Sequence, residues 1–176
     1  MTTRVAFLRA VNLGKRTVRM AHLAEIVSGL GYEDVWTYIN SGNVVFEATG
    51  NRAALEHKLE AALEAELGFE VTTFVRTAAE LRRTLAAKPF DVAAGDTYFV
   101  TFLKAAPSPS GCAALEGLSN NFDTLVVKGP DVHWRMRGKS TDTKLPTKAW
   151  ENIVGRHRST SHNTTMLQKL SDKIET

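Results

Sequence analysis

One feature narrows the possible folds more than any other: the same order of elements is written twice along the chain. Val5-Ala6-Phe7-Leu8 is a short apolar run expected to form a strand. A helical stripe follows, with Leu23, Ile26, Val27 and Leu30 on one face at three- and four-residue spacing, ended by Gly31. Asp34 to Ile39 and Val44 to Phe46 are β-rich and flank the turn signal Asn40-Ser41-Gly42-Asn43. Leu55, Leu59, Leu63 and Leu67 mark a long helix that ends at Gly68, and Phe69 to Val75 is expected as a strand. A bridging helix, Ala78 to Ala87, is stopped by Pro89.

The order then returns. Tyr98 to Lys104 is a strand, and Ser110 is expected to cap a helix through Leu118. Leu125 to Val127 and Val132 to Gly138 flank the turn Lys128-Gly129-Pro130-Asp131. Pro146 to Val154 is a helix, Arg158 to Ser161 a short strand, and Thr164 to Ile174 a closing helix. The first strands and the hairpin turns of the two halves are each offset by roughly 90 residues, a repeat of pattern rather than of residues. Each half is β-α-β-β-α-β, the ferredoxin-like split unit. The expected class is α+β: a first half over 1–76, a bridge over 77–96 and a second half over 97–176, packed as one compact unit. Helices on one face of each sheet leave the other face free for pairing of the halves or for a ligand.

Composition excludes several classes. The chain has 176 residues, 43% hydrophobic and 23% charged, as an ordinary globular protein does. The single cysteine, Cys112, permits no intramolecular disulfide, which fits a reducing cytoplasm. Met1-Thr2-Thr3-Arg4 lacks the apolar core of a signal peptide, and no apolar run reaches the ~20 residues that span a bilayer. A cytoplasmic protein without a membrane partner is expected. The net charge of +3 permits an anionic partner without demanding one. Its distribution is uneven, acidic over 51–70 and basic over 133–158.

Part of the text has a specific resemblance. Phe7-Leu8-Arg9-Ala10-Val11-Asn12-Leu13-Gly14, Val18-Arg19-Met20-Ala21-His22-Leu23, Leu30-Gly31-Tyr32 and Thr37 to Phe46 resemble the bacterial family of domain of unknown function 1697. The likeness continues more sparsely in Val100-Thr101-Phe102-Leu103, Thr143-Lys144-Leu145 and Asn163-Thr164-Thr165. It implies a duplicated α+β architecture and no established activity. Positions matching the family's pattern are Arg9, Asn12, Gly14, Met20, Ser41, Gly42, Asn43, Lys144 and Asn163. The chain departs from it at Ser161-His162-Asn163-Thr164, where the family's aromatic is missing.

Polar and basic residues gather in the turns. Asn12, Gly14, Lys15 and Arg16, with Arg9 and Arg19, lie between a strand and a helix N-terminus, where backbone N–H groups and the dipole favour an anion. The loop lacks the Gly-Lys-Ser/Thr ending of a Walker motif. Asn40, Ser41 and Asn43 suit hydrogen bonding to a ligand, and equally the needs of a tight turn. Alternation along 132–138 sets Val132, Trp134 and Met136 against His133, Arg135 and Arg137, the basic set pointing off the open sheet face toward phosphates. Trp36 and Tyr38 share a face on which a base stacks, or belong to the core. Arg156 to Asn163 is a basic loop and a second anion candidate through its cap Asn163.

His157 and His162 lack the acidic or cysteine company of a metal site, and no metal or cofactor is expected. Cys112 is expected to be a packing residue. Glu56, Glu60 and Glu64 are expected on the solvated side of their helix, with His22 and His57 at the surface. The leading function is a binding protein for an anion, a nucleotide or nucleic acid, at the seam of the halves, through Arg9, Asn12, Gly14, Lys15, Ser41, Asn43, Lys144 and Asn163. The alternatives are a small enzyme on an anionic substrate, with Lys144 or Arg9 stabilising charge, and an oligomeric structural protein that forms a homodimer.

Overall fold

The computed structural model describes residues 1–9, 17–39 and 42–176. Asn12, Gly14, Lys15 and Ser41 lie outside the described residues. The chain divides into two units, Met1–Leu81 and Arg82–Thr176.

The first unit runs β1 (Thr2–Leu8), α1 (Met20–Ser28), β2 (Glu33–Tyr38), β3 (Asn43–Ala48), α2 (Arg52–Leu67) and β4 (Thr73–Thr77), and ends inside α3 (Ala78–Ala87). Its antiparallel sheet has the order β2-β3-β1-β4. Helix α2 begins because the Asn51 side chain accepts from Ala54 N–H, and it stops at Gly68, whose φ of +80° costs a glycine little. The stripe Leu23, Ile26, Val27 of α1 and the stripe Leu55, Leu59, Leu63 of α2 belong to one buried cluster with Ala6, Leu8, Val44, Phe46 and Val75. The helices therefore cover one face of the sheet.

The second unit holds the rest of α3, then β5 (Thr97–Leu103), α4 (Pro109–Glu116), β6 (Asp123–Lys128), β7 (Asp131–Met136), α5 (Thr147–Val154), β8 (Ser159–Asn163) and α6 (Thr164–Glu175). Its sheet order, β6-β7-β5-β8, is that of the first unit. Leu103, Leu115, Leu125 and Val132 form its helix-side core, with Trp134, Leu145 and Trp150 packed against them. Ser108, rather than Ser110, caps α4 by accepting from Gly111 N–H, because Pro109 takes the first helical position, where no N–H is needed.

Three expectations are corrected. The repeat extends to residues. Phe7 pairs with Asn43 and Ala6 with Val44, as Phe102 pairs with Asp131 and Thr101 with Val132. Leu8 N–H donates to Gly42 O, and Leu103 N–H to Pro130 O. This register superposes Val5-Ala6-Phe7-Leu8-Arg9 on Val100-Thr101-Phe102-Leu103-Lys104, and Asn43-Val44-Val45-Phe46 on Asp131-Val132-His133-Trp134.

The face of 132–138 expected to be open to phosphates is largely occupied. Val5, Phe7, Val45, Phe74 and Arg76 alternate with the core residues of the first sheet and are buried as well. On the second sheet His133 is fully buried instead of facing solvent. Arg135 is held by Asp91 O at 2.9 Å and Thr124 Oγ1 at 2.9 Å, with its guanidinium over the Phe90 ring.

The acidic face of α2 is not wholly solvated. Glu56 is buried and its Oε2 accepts from Val75 N–H at 2.8 Å, while Glu60 Oε2 accepts from Thr73 N–H at 2.7 Å. β4 is an edge strand, and these carboxylates occupy its outward N–H groups, which blunts the edge against further strand pairing. His22 and His57 are exposed, as expected.

Candidate anion-binding site

At the end of the first sheet, β1 delivers Arg9 just beyond its last strand residue. Arg9 N–H donates to Thr72 O at 2.9 Å, one step past the Leu8–Thr73 pair. Asn43 opens β3 two residues back along the ladder, opposite Phe7. It is buried, and its Nδ2 donates to Tyr38 O at 3.2 Å, so its side chain braces the β2–β3 hairpin. Arg9 and Asn43 thus share one end of one sheet. At the same hairpin Ile39 takes a φ of +52° and is 51% exposed, an unusual conformation for a β-branched residue.

Lys144 and Asn163 belong to the second unit. Lys144 lies in the latch built on Asp123, a buried carboxylate at the start of β6. Asp123 Oδ1 accepts from Trp134 Nε1 at 2.8 Å and Thr143 Oγ1 at 2.7 Å. Its Oδ2 accepts from Lys144 N–H at 2.8 Å and Asn120 Nδ2 at 3.1 Å. Burial alone pushes such a carboxyl up, but the bonds from Thr143, Trp134, Lys144 and Asn120 together hold it below the usual range. The Lys144 ammonium is itself bonded to Asn121 Oδ1 at 3.1 Å.

Asn163 ends β8 and caps α6, its Oδ1 accepting from Thr165 N–H at 2.8 Å. β6 and β8 are opposite edges of a four-stranded sheet, three strand spacings or roughly 14 Å apart. Lys144 and Asn163 therefore do not meet.

Asn163 does lead to a cleft. A hollow of about 410 Å³ opens at the first turns of α6, lined by Leu85, Lys88, Tyr98, Thr164, Thr165, Gln168 and Lys169. Two ammonium groups stand in its wall and no carboxylate does. Thr164 Oγ1 donates to Tyr98 O at 3.0 Å, which ties the helix start to β5. Gln168 Nε2 is turned to Asp172 Oδ1 at 2.9 Å. The helix dipole, the two lysines and the Thr165 hydroxyl all favour negative charge here.

Behind the cleft, Tyr98 OH and His133 Nδ1 are 2.6 Å apart. Burial pushes the Tyr98 phenol up to about 12 and the His133 imidazole down, so both are neutral. The phenol then donates to Nδ1, and the imidazole carries its proton on Nε2, which is buried without a hydrogen-bond partner.

The sequence marked Asn163 but not Lys88, Lys169 or Tyr98. Helical spacing carried part of the signal, since Thr165 and Lys169 are four apart on one face of α6. Lys88 belongs to no motif; it falls beside the cleft because α3 ends there, with φ of +22° before Pro89. Among the described residues no group of three His, Cys, Asp or Glu is placed to hold a metal ion. No described helix is long and apolar enough to cross a membrane.

Comparison with known proteins adds family and fold. A family model described as protein of unknown function (DUF1697) matches residues 1–133. The conserved bacterial protein SP0830 from Streptococcus pneumoniae is similar in structure, with a TM-score of 0.77 at 24% identity, over 100% of this chain and 99% of that one. That likeness extends to the duplicated α+β fold alone. No curated protein matches.

Proposed function

The chain belongs to the DUF1697 family of proteins of unknown function, and we propose that this member binds a phosphorylated small molecule of nucleotide size at the N-terminus of α6. The observation that carries the reading is the cleft of about 410 Å³ walled by Lys88 and Lys169 around that helix start. Its volume lies in the range of small-molecule sites. The polar groups are donors: two ammonium groups, a threonine hydroxyl and the helix end. The neutral, protonated Tyr98 adds no negative charge. Nothing in the cleft supplies a nucleophile beside a base, so the reading is binding rather than catalysis.

In the first unit, where the family text is densest, Arg9 and Asn43 are a separate candidate for anion contact at the end of the first sheet. Asn12, Gly14, Lys15 and Ser41 belong to the same stretch of sequence and are part of the proposal on that ground.

A thermal-shift series tests it. ATP, AMP, pyrophosphate and inorganic phosphate are each added at low and at raised salt. Ligands of higher charge are expected to raise Tm more, with the gain shrinking as salt screens the lysines. The double variant Lys88→Ala/Lys169→Ala, both exposed positions, is expected to remove the gain without lowering the ligand-free Tm. A flat series, or a gain that survives the double variant, would overturn the reading.

A further inference from the structure

We propose that the second unit carries a separate pocket for a small organic carboxylate with a compact apolar body. The pocket, of about 150 Å³, lies at the C-terminal end of β5 and is lined by Leu103, Lys104, Pro107, Leu115, Ile153 and Arg158, with Ala105 and Val154 between them. It is distinct from the α6 cleft, which is reached at Tyr98 near the other end of the same strand. Five residues of strand separate Tyr98 from Leu103, roughly 17 Å.

Its chemistry is divided in two. Leu103 and Leu115 are buried floor residues, and Pro107, Ile153 and Val154 continue the apolar wall. The volume of about 150 Å³ is that of a hollow able to hold a body the size of benzene. The two polar side chains in the lining are both cations, Lys104 and Arg158, and no carboxylate is among them. Arg158 is exposed, and its side chain has no ion pair or hydrogen bond among the described residues.

The stem of Arg158 lies against Gly155: a Cβ there would meet Arg158 Cδ at 2.8 Å and Cγ at 3.3 Å. Gly155 also adopts a φ of +99°, and His157 a φ of +61°, so the chain turns sharply on both sides of Arg156 to bring Arg158 back. A side chain at 155 would press on the stem of Arg158. A guanidinium fork in the lining of a pocket with an apolar floor matches a carboxylate on an apolar body. A bare phosphate leaves the floor unfilled, and a neutral apolar molecule leaves the fork unpaired.

The duplication gives the site a counterpart in sequence. Lys104 follows Phe102-Leu103 as Arg9 follows Phe7-Leu8, in the same ladder register. A cation placed directly after the first strand is thus a property of both units, and Arg158 is what the second unit adds across β8.

The test is ¹H–¹⁵N NMR on the full chain titrated with benzoate and hexanoate, with benzamide as the uncharged control and inorganic phosphate as the headgroup alone. Both carboxylates are expected to move the amide signals of Leu103, Lys104, Ala105, Ile153, Val154 and Arg158, and benzamide to bind at least about tenfold more weakly, as loss of a charge-assisted pair implies. Arg158→Gln is expected to weaken benzoate by about the same factor, with Arg158→Lys between the two. Phosphate is expected to move Thr164 to Lys169 instead, so failure here and failure of the α6 site are read from different signals. Equal binding of benzoate and benzamide, an Arg158→Gln protein that binds benzoate as tightly as the parent, or no shift at these residues would each overturn the proposal.

Discussion

The two sheets share strand order, and side chains cap the backbone of β4 in the first and of β6 in the second. In the first unit the sixteen-residue α2 runs along β4 and sets Glu56 and Glu60 on the N–H groups of Val75 and Thr73. In the second unit the corresponding helix, α5, has eight residues, and its Trp150 Nε1 reaches only Ser159 Oγ of β8. On the other edge, β6, two side chains cap the backbone. Val127 N–H donates to Glu116 Oε2 at 2.9 Å, and Leu125 N–H to Ser119 Oγ at 3.0 Å, Glu116 ending α4 and Ser119 following it.

The hairpins diverge in the same way. The second places Gly129 at φ of +59° before Pro130, the arrangement of a type II′ turn, while the first holds Ile39 at φ of +52°. Backbone topology was kept through the duplication, and the polar fittings were made separately in each copy. Binding features follow the fittings, so one copy does not imply them in the other.

The comparison makes unequal demands on substitutions. The largest effect is expected at the Asp123 latch, which the first unit does not share. Asp123→Ala strands the donors of Trp134, Thr143, Lys144 and Asn120. It is expected to cost about 3 kcal/mol, read as a lower urea midpoint at unchanged slope. Loss of amide protection should centre on β6 and β7.

Acid comes next, and again through the second sheet. Burial lowers His162 from 6.5 to about 4 and lowers His133 in the same direction. The unfolded chain therefore takes up protons first as pH falls. This contribution to stability is full above about pH 6.5 and is lost between there and about 4, on the order of 3 kcal/mol for a shift of this size. Urea melts at pH 7.5 and pH 5 check this, and His162→Gln is expected to flatten the difference.

The edge caps are expected to rank by burial. Glu56→Ala should cost about 2 kcal/mol and Glu116→Ala, at an exposed position, about 0.5 kcal/mol. Equal costs would mean that the two edges are protected alike. The smallest effect is a gain: Ile39→Gly is expected to add about 0.5 kcal/mol by relieving the left-handed strain, measured by the same melts.

Element order was legible because periodicity reports burial of one helix face and alternation reports a strand, and both signals were present twice. The residue-level repeat was not, because Val5-Ala6-Phe7-Leu8 aligns with Val100-Thr101-Phe102-Leu103 only once the ladder register is known. Glu56 looked solvated because helical phase places it beside the leucine stripe without saying that an edge strand lies against it. His133 and Arg135 looked open to phosphate because alternation assigns a face but not whether that face is covered. Of the candidate site, the sequence marked the cap Asn163; Lys88, Tyr98 and Lys169 are brought together by tertiary packing of α3, β5 and α6 around it.

The most direct test of the account is an NMR titration of the full chain with ATP at low salt. The expected result is movement of the Thr164, Thr165, Gln168, Lys169 and Lys88 signals with one affinity, abolished in Lys88→Ala/Lys169→Ala. Signals that stay still in the parent protein, or that move equally in the double variant, would contradict anion binding at the start of α6.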